Sequence, residues 1–169
     1  MQLDLVLPHL LNSVFLAGGP SMALAVVFPA RGQIVRIPFP PAIAKKYRIS
    51  EGVWVGKTLY LSGTLSPSLD TPTPGNTETQ TAGALGAIKG ALKKQKLTMG
   101  DIVMMHAYLV GDPANGGKMY FDGFMAGYAG FFGTKTQPNM PARSTYQVVA
   151  LAEPTALVEI EVIAVKSKK

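Results

Sequence analysis

The nine residues "LVEIEVIAV", Leu157 to Val165, limit the possible folds more than any other stretch. Side-chain character there repeats every two residues, the pattern of a strand with one side on a core. Val158, Ile160, Val162 and Ala164 share one side, and Leu157, Glu159, Glu161 and Ile163 share the other. Two carboxylates on one face can raise one another's pKa or hold a polarised water; equally, one of them simply faces solvent at a sheet end. The preceding "MPARSTYQVVALAEPTA" reads as another strand followed by a turn at "LAEPTA". Residues 140–165 are thus expected to form two neighbouring strands. Arg143, where the first of them begins, does not serve a core. Its planar fork matches a carboxylate and stays charged when buried. The residues alone leave two partners open for it. One is a ligand carboxylate, helped by unpaired N–H groups at the strand start; the other is Glu159 or Glu161.

Upstream, "VWVGKTLYLSGTL" (Val53 to Leu65) reads as a hairpin turning at Gly56-Lys57, after a proline-set extended approach over residues 31–50. "NTETQTAGALGAIKGALKKQKL" reads as a helix, with Thr77 and Gln80 at capping-box spacing and Glu78 at the positive end of the dipole. Thr81, Ala84, Leu85, Ile88, Ala91 and Leu92 form its apolar stripe. Gly83, Gly86 and Gly90 cost such a helix up to about 1 kcal/mol each relative to Ala, which close approach to a sheet would offset. "DIVMMHAYLV" (Asp101 to Val110) is apolar enough for a strand buried on both faces, with His106 as a core or interface histidine. "KMYFDGFMAGYAGFFG" follows as a second helix, offering Met119, Phe121, Phe124, Met125, Tyr128, Phe131 and Phe132 to the core. Strand, strand, helix, strand, helix, strand, strand predicts a single α+β domain, a mixed sheet with two helices on one face. The other sheet face stays apolar and needs covering. With 47% hydrophobic and 15% charged residues, that points to a homo-oligomer.

Composition excludes several chemistries. There is no cysteine, hence no disulfide, thiolate nucleophile or Cys-held metal. His9 and His106, the two histidines, belong to no ligand-spacing motif, so no metal is expected. The net charge of +6 is divided among Lys45/Lys46/Arg48, Lys89/Lys93/Lys94/Lys96 and Lys166/Lys168/Lys169. Apart from the single Tyr47, no aromatic is interleaved with them, and none forms the basic, aromatic-studded face that nucleic-acid binding would want. Residues 1–30 read as an N-terminal arm or a degenerate export signal preceding a domain at 31–169. An Ala23-Leu24-Ala25 stretch resembles a signal-peptidase site, whereas Asp4, Pro8 and Gly18-Gly19-Pro20 break the signal pattern. A cytoplasmic location suits the arm, and a periplasmic one suits a signal over residues 1–25. No run is long enough to span a membrane.

"PARSTYQVVAL" and "LVEIEVIAV", after "YLSGTL" and "GDIVMMHAYLV", resemble the RidA (YjgF-like) family of reactive-intermediate deaminases from about Val53 to Val165. "YLVGDPANGGKMYFDGFMAGYAGFFG" is similar to a subgroup whose members often carry export signals. The resemblance implies a chorismate-mutase-like fold, a homotrimer with sites between subunits, and no cofactor. It implies hydrolysis of enamine/imine intermediates to 2-oxo acids and ammonia on a small carboxylate-bearing substrate. Arg143 would clamp the carboxylate and Glu159 would activate water, with Ser62, Gly63, Ser144 and Thr145 lining the cleft. Where such deaminases carry a Tyr, Ile43 or Ile49 stands here; Thr145 replaces a frequent Cys and Met125 a frequent Asn. A carboxylate-binding trimer without catalysis is the alternative, and a ribonuclease, lacking a His pair, ranks below it.

Overall fold

The computed structural model describes residues 32–167, so the readings of residues 1–30 fall outside it. Its strands are β1 (Ile34–Pro38), β2 (Ser50–Val55), β3 (Thr58–Thr64), β4 (Ile102–Val110), β5 (Ala142–Val148) and β6 (Val158–Val165). The helices α1 (Pro41–Tyr47), α2 (Thr77–Lys94) and α3 (Phe121–Ala129) are interposed. One mixed sheet results, in the order β1-β2-β3-β6-β4-β5, with β4 and β5 parallel and the other neighbours antiparallel. The described residues form a single domain.

The apolar side of β6 behaves as its alternation requires. Val158, Ile160, Val162 and Ala164 are buried, together with Met105, Ala107 and Leu109 of β4 and Leu59 and Leu61 of β3. Ala84, Leu85, Ile88 and Leu92 of α2 and Phe124 and Tyr128 of α3 close this core from one side. Each such large side chain contributes about 1.5–3 kcal/mol on burial. No described helix is long and apolar enough to cross a membrane.

Four expectations need correction. Residues 31–50 are not merely extended: Ile34–Pro38 pairs with β2, and a short helix follows. Pro41 sits in its first turn, where a missing N–H costs nothing, and Arg48 ends it in the left-handed region. Second, β5 and β6 are not neighbours, because β4 lies between them. Helix α3 carries the chain from β4 to a parallel β5, a crossover that a tight turn cannot make. Third, β4 is buried on one face only; His106 and Tyr108 on the other are partly exposed. Fourth, Gly86 and Gly90 have open space around them. Only Gly83 of that trio meets a neighbour, the Ser66 side chain in a loop.

The α2 cap lies one residue before the expected box. Asn76 accepts from the Thr79 N–H at 3.0 Å, which frees Thr77 and Gln80 for tertiary work. Gln80 donates to the Gly75 and Thr155 carbonyls and accepts from the Leu157 N–H at 2.8 Å, fixing the approach to β6. Buried Asp112 accepts from the Thr77 hydroxyl at 2.6 Å and from the N–H groups of Thr77 and Ala114. Burial opposes its charge, but the Thr77 hydroxyl and the two N–H donors together outweigh it and hold its pKa below the ordinary value. Asp112→Ala should therefore lower unfolding stability by about 2–3 kcal/mol in urea titration at pH 7. The depressed folded-state pKa makes this contribution complete above the unfolded-state value. The gap between variant and wild type should close as pH falls through the folded-state pKa.

Candidate active site

Because β4 separates β5 from β6, the pleat decides what each expected site residue can reach. Arg143 stands opposite Met105, and Thr145 opposite Ala107, so both point to the helix-covered side. Glu159 stands opposite Tyr108, and Ser144 opposite His106, on the open side. Arg143 and Glu159 thus sit two strands and three residues of register apart, about 14 Å in the sheet plane, and on opposite faces. No small molecule can bridge them within one chain.

On the helix side, the Arg143 guanidinium carbon lies 4.5 Å from the ring centre of Tyr128, 5.0 Å from Phe124 and 5.8 Å from Phe121. These rings occupy one stripe of α3, which the crossover lays over β5. A cation against ring faces is favoured by their quadrupoles, and a guanidinium is the cation best able to stack. Burial raises the Tyr128 pKa, and the nearby Arg143 guanidinium opposes the rise. Among the described residues no carboxylate reaches Arg143; the ion pairs are Lys94–Glu51 and His106–Glu161. The internal partner left open by the sequence is therefore not the one adopted. Strand β5 is also a sheet edge, so one side of its backbone has no strand beside it.

On the open side, Glu159 reaches toward β3. The β3–β6 register slips between Leu61 and Thr64, leaving Ser62 and Gly63 in a bulge. A Cβ at Gly63 would collide with Glu159 Oε1, so glycine is what leaves the carboxylate its present place. Ser62 donates to the Ser50 carbonyl at 2.8 Å, which ties the bulge to β2. The structure thus brings Gly63 to Glu159 and Thr145 to the face of Arg143, and gives Ser62 a supporting bond. Burial first, then the Glu161 charge, raises the Glu159 pKa. Ile43 and Ile49, at the place of the family's Tyr, are both exposed.

Two features escaped the sequence. The α3 rings, assigned to core, cage the arginine; the signal was their 121/124/128 spacing combined with a parallel β4–β5 pair. The other is a polar cluster in which Glu161 accepts from His106 Nδ1 at 2.8 Å and from the Tyr108 hydroxyl at 2.9 Å. Burial, then that bond, raises the Tyr108 pKa. Tyr146 stacks on Tyr108 at 6.0 Å, and a depression of about 390 Å³ lies between them, His106, Val148 and Glu161. Neither it nor the smaller one beside Tyr60 includes Arg143 or Glu159. Among the described residues no group of three acidic, His or Cys side chains could hold a metal.

A mixed sheet covered on one face, with an arginine on one side that no carboxylate among the described residues reaches and a half-buried glutamate on the other, defines a small α+β protein whose two candidate site residues lie on opposite faces of its sheet. The family model described as Endoribonuclease L-PSP matches residues 40–166, and the chain belongs to that family, the YjgF/RidA family. Among solved structures it is similar to Rv2704 of Mycobacterium tuberculosis, a YjgF/YER057c/UK114 member: 25% identity, TM-score 0.62, covering 79% of this chain and 100% of that one. E. coli TdcF, solved with bound serine, is 27% identical at TM-score 0.59, over 78% of this chain and 94% of that one. Yeast Mmf1, 23% identical, shares the fold at TM-score 0.62 over 80% and 100% of the two chains. No curated protein matches the sequence.

The raised Glu159 pKa carries a sign that can be checked. The folded state binds this proton more tightly than the unfolded state, so stability falls as pH rises between the two pKa values. Glu159→Gln should raise the melting temperature at pH 7, and the gain should vanish as pH drops below the ordinary glutamate range. Calorimetry at pH 4, 5.5 and 7 checks this.

Proposed function

We propose that the protein is a cofactor-free hydrolase of reactive enamine/imine intermediates, releasing 2-oxo acids and ammonia, and that it works as a homotrimer of chorismate-mutase-like domains. The observation that carries this is the Arg143 fork, charged, ring-bound and without a carboxylate among the described residues. A group so placed is open to an organic acid, and the bound serine of TdcF supports a small carboxylate at such a site. Glu159 faces the other way, so the catalytic pair is Arg143 of one subunit with Glu159 of the next. The free β5 edge and the exposed Tyr60, Val103 and Tyr146 on the open face support an assembly that covers them. In this reading residues 31–169 are the catalytic domain, and 1–30 an arm or export segment.

The chemistry asks little of the site. Water adds to the imine carbon while Glu159 takes its proton; the proton passes to nitrogen, and the carbinolamine expels ammonia to leave the 2-oxo acid. An enamine is first protonated on carbon to give the imine. A glutamate with a raised pKa lies nearer working pH and suits a group that accepts and returns one proton. Orientation by the Arg143 clamp supplies much of the remaining acceleration. Gly63 leaves room for the Glu159 carboxylate and Ser62 ties that bulge to β2, while Thr145 shares the face of the clamp and Ser144 lies on the open side.

Coupling to an amino-acid oxidase, which generates the imine in situ, tests the proposal through the rate of imine decay. Wild type should accelerate it, and Arg143→Ala should lower kcat/KM at least about 100-fold, the scale of losing one partner of a desolvated charge pair. No acceleration over buffer would defeat the deaminase. Gly63→Ala should cut kcat, since its Cβ displaces the Glu159 carboxylate, while the melting temperature changes little because a flexible side-chain end yields.

Ile43 or Ile49, and Met125, apolar where deaminases place Tyr and Asn, favour a second reading, a carboxylate-binding trimer without turnover. In that case small carboxylates raise the melting temperature through linkage while imine decay is unaffected. A ribonuclease finds no support in His106, which is bonded to Glu161.

A further inference from the structure

We propose that Phe121 selects the ligand of the Arg143 site, favouring 2-oxo or 2-imino acids with an apolar side chain over hydroxylated ones. This deepens the carboxylate-clamp reading and rests on it.

The three caging rings differ in how they are buried. Phe124 is 0% exposed and Tyr128 7%, whereas Phe121 is 40% exposed. Two rings therefore belong to the core and lend Arg143 a floor, while the third stands at the rim. A large aromatic ring left in water beside a cation is not explained by packing alone. It is also held in place: Phe121 stacks on Phe124 with ring centres 6.1 Å apart and opens α3, whose backbone is fixed by the crossover. A carboxylate bound in the fork places its α-substituent one or two bonds away, within contact range of that ring.

The surroundings point the same way. Met125 continues the α3 stripe and is partly buried on the core, and Met140, 73% exposed, precedes Arg143 by three residues. The polar groups on this side are mostly engaged. The Tyr128 ring lies against Arg143, and Gln147 Oε1 accepts from the Met119 N–H at 3.1 Å. Thr145 is the competing feature, a hydroxyl two residues along the strand on the same face and about 7 Å from Arg143 along the backbone. A substituent directed at Thr145 would favour a hydroxyl; one directed at Phe121 favours carbon. The exposed ring lies across the fork, not beside it on the strand, and it offers the area on which an aliphatic or aromatic side chain loses water.

Titration calorimetry of the full chain with three 2-oxo acids tests this: 4-methyl-2-oxopentanoate, phenylpyruvate and 3-hydroxypyruvate. Wild type should bind the first two at least about 10-fold more tightly than the third, the scale that methylene burial provides. Phe121→Ser should reduce that ratio to near unity, weakening all three acids because it also removes a ring from the Arg143 cage, with the larger loss on the two apolar ones. Phe121→Leu should retain most of the ratio. Equal affinities in wild type, or a ratio that survives Phe121→Ser, overturn the proposal while leaving Arg143 as the clamp. Tighter binding of 3-hydroxypyruvate, abolished by Thr145→Val, overturns it in favour of Thr145. No binding of any of the three, with Arg143→Ala indistinguishable from wild type, overturns both the selectivity and the clamp.

Discussion

A sheet residue has two directions to choose from, and in this protein that choice governs everything else. The core is one layer deep, made where the inward side chains of β3, β4 and β6 meet α2 and α3. Once Val158, Ile160 and Val162 are committed to it, Glu159 and Glu161 must face outward. Once Met105 and Ala107 are committed, their parallel neighbours Arg143 and Thr145 must face inward. A one-residue slip of β6 would bury Glu159 and Glu161 among leucines, a cost no local interaction offsets. Separation of the two charged groups is thus a consequence of forming a core at all.

The split explains how the two faces differ. The helix side contains a partly buried cation stabilised by rings, with no carboxylate among the described residues in reach. The open side carries acids, and they are handled in different ways. Glu161 is satisfied by His106 and Tyr108, which gives the exposed face a fixed polar island among Tyr60, Val103 and Tyr146. Glu159 gains no such donor, and its charge is disfavoured by burial and by its neighbour. A carboxylate left short of donors two residues from one that is well supplied is the pattern by which a shared environment assigns different tasks to like groups.

The legible part of this fold was the part written in local periodicity. The hairpin at Gly56-Lys57, the stripe of α2, the helix around Phe124 and the two sides of β6 follow from spacings within a dozen residues. What was hidden depended on partners distant in sequence. Asn76 and not Thr77 caps α2 because Asp112, 35 residues away, claims Thr77. Helix α1 was masked by Pro40 and Pro41, which signal extension and a helix start equally well. Arg143 and Glu159 were recognisable as site residues by type and by family likeness. Their placement on opposite faces was not, since adjacency in sequence made β5 and β6 look like a hairpin. The intervening β4 has no signal in either segment; only the parallel pairing demanded by the α3 crossover puts it there.

Both groups assigned to the site are costly to the isolated chain, and for opposite reasons. Arg143 is drawn out of water without a counter-ion, and ring contacts recover only part of its lost hydration, about 0.5–2 kcal/mol per cation–π contact. Glu159 is held where its negative charge is disfavoured. Replacing either by a neutral residue would relieve strain, as would an internal salt bridge, yet the fold forbids that bridge by placing the sheet between them. Two unrelieved charges of opposite sign cannot find each other within a chain, and in the proposed reaction the same event would relieve both. A carboxylate ligand would neutralise the first, and the second would accept the proton of an attacking water. On that proposal the energy withheld from folding would serve binding and proton transfer, and it is the pleat that keeps it from being discharged internally.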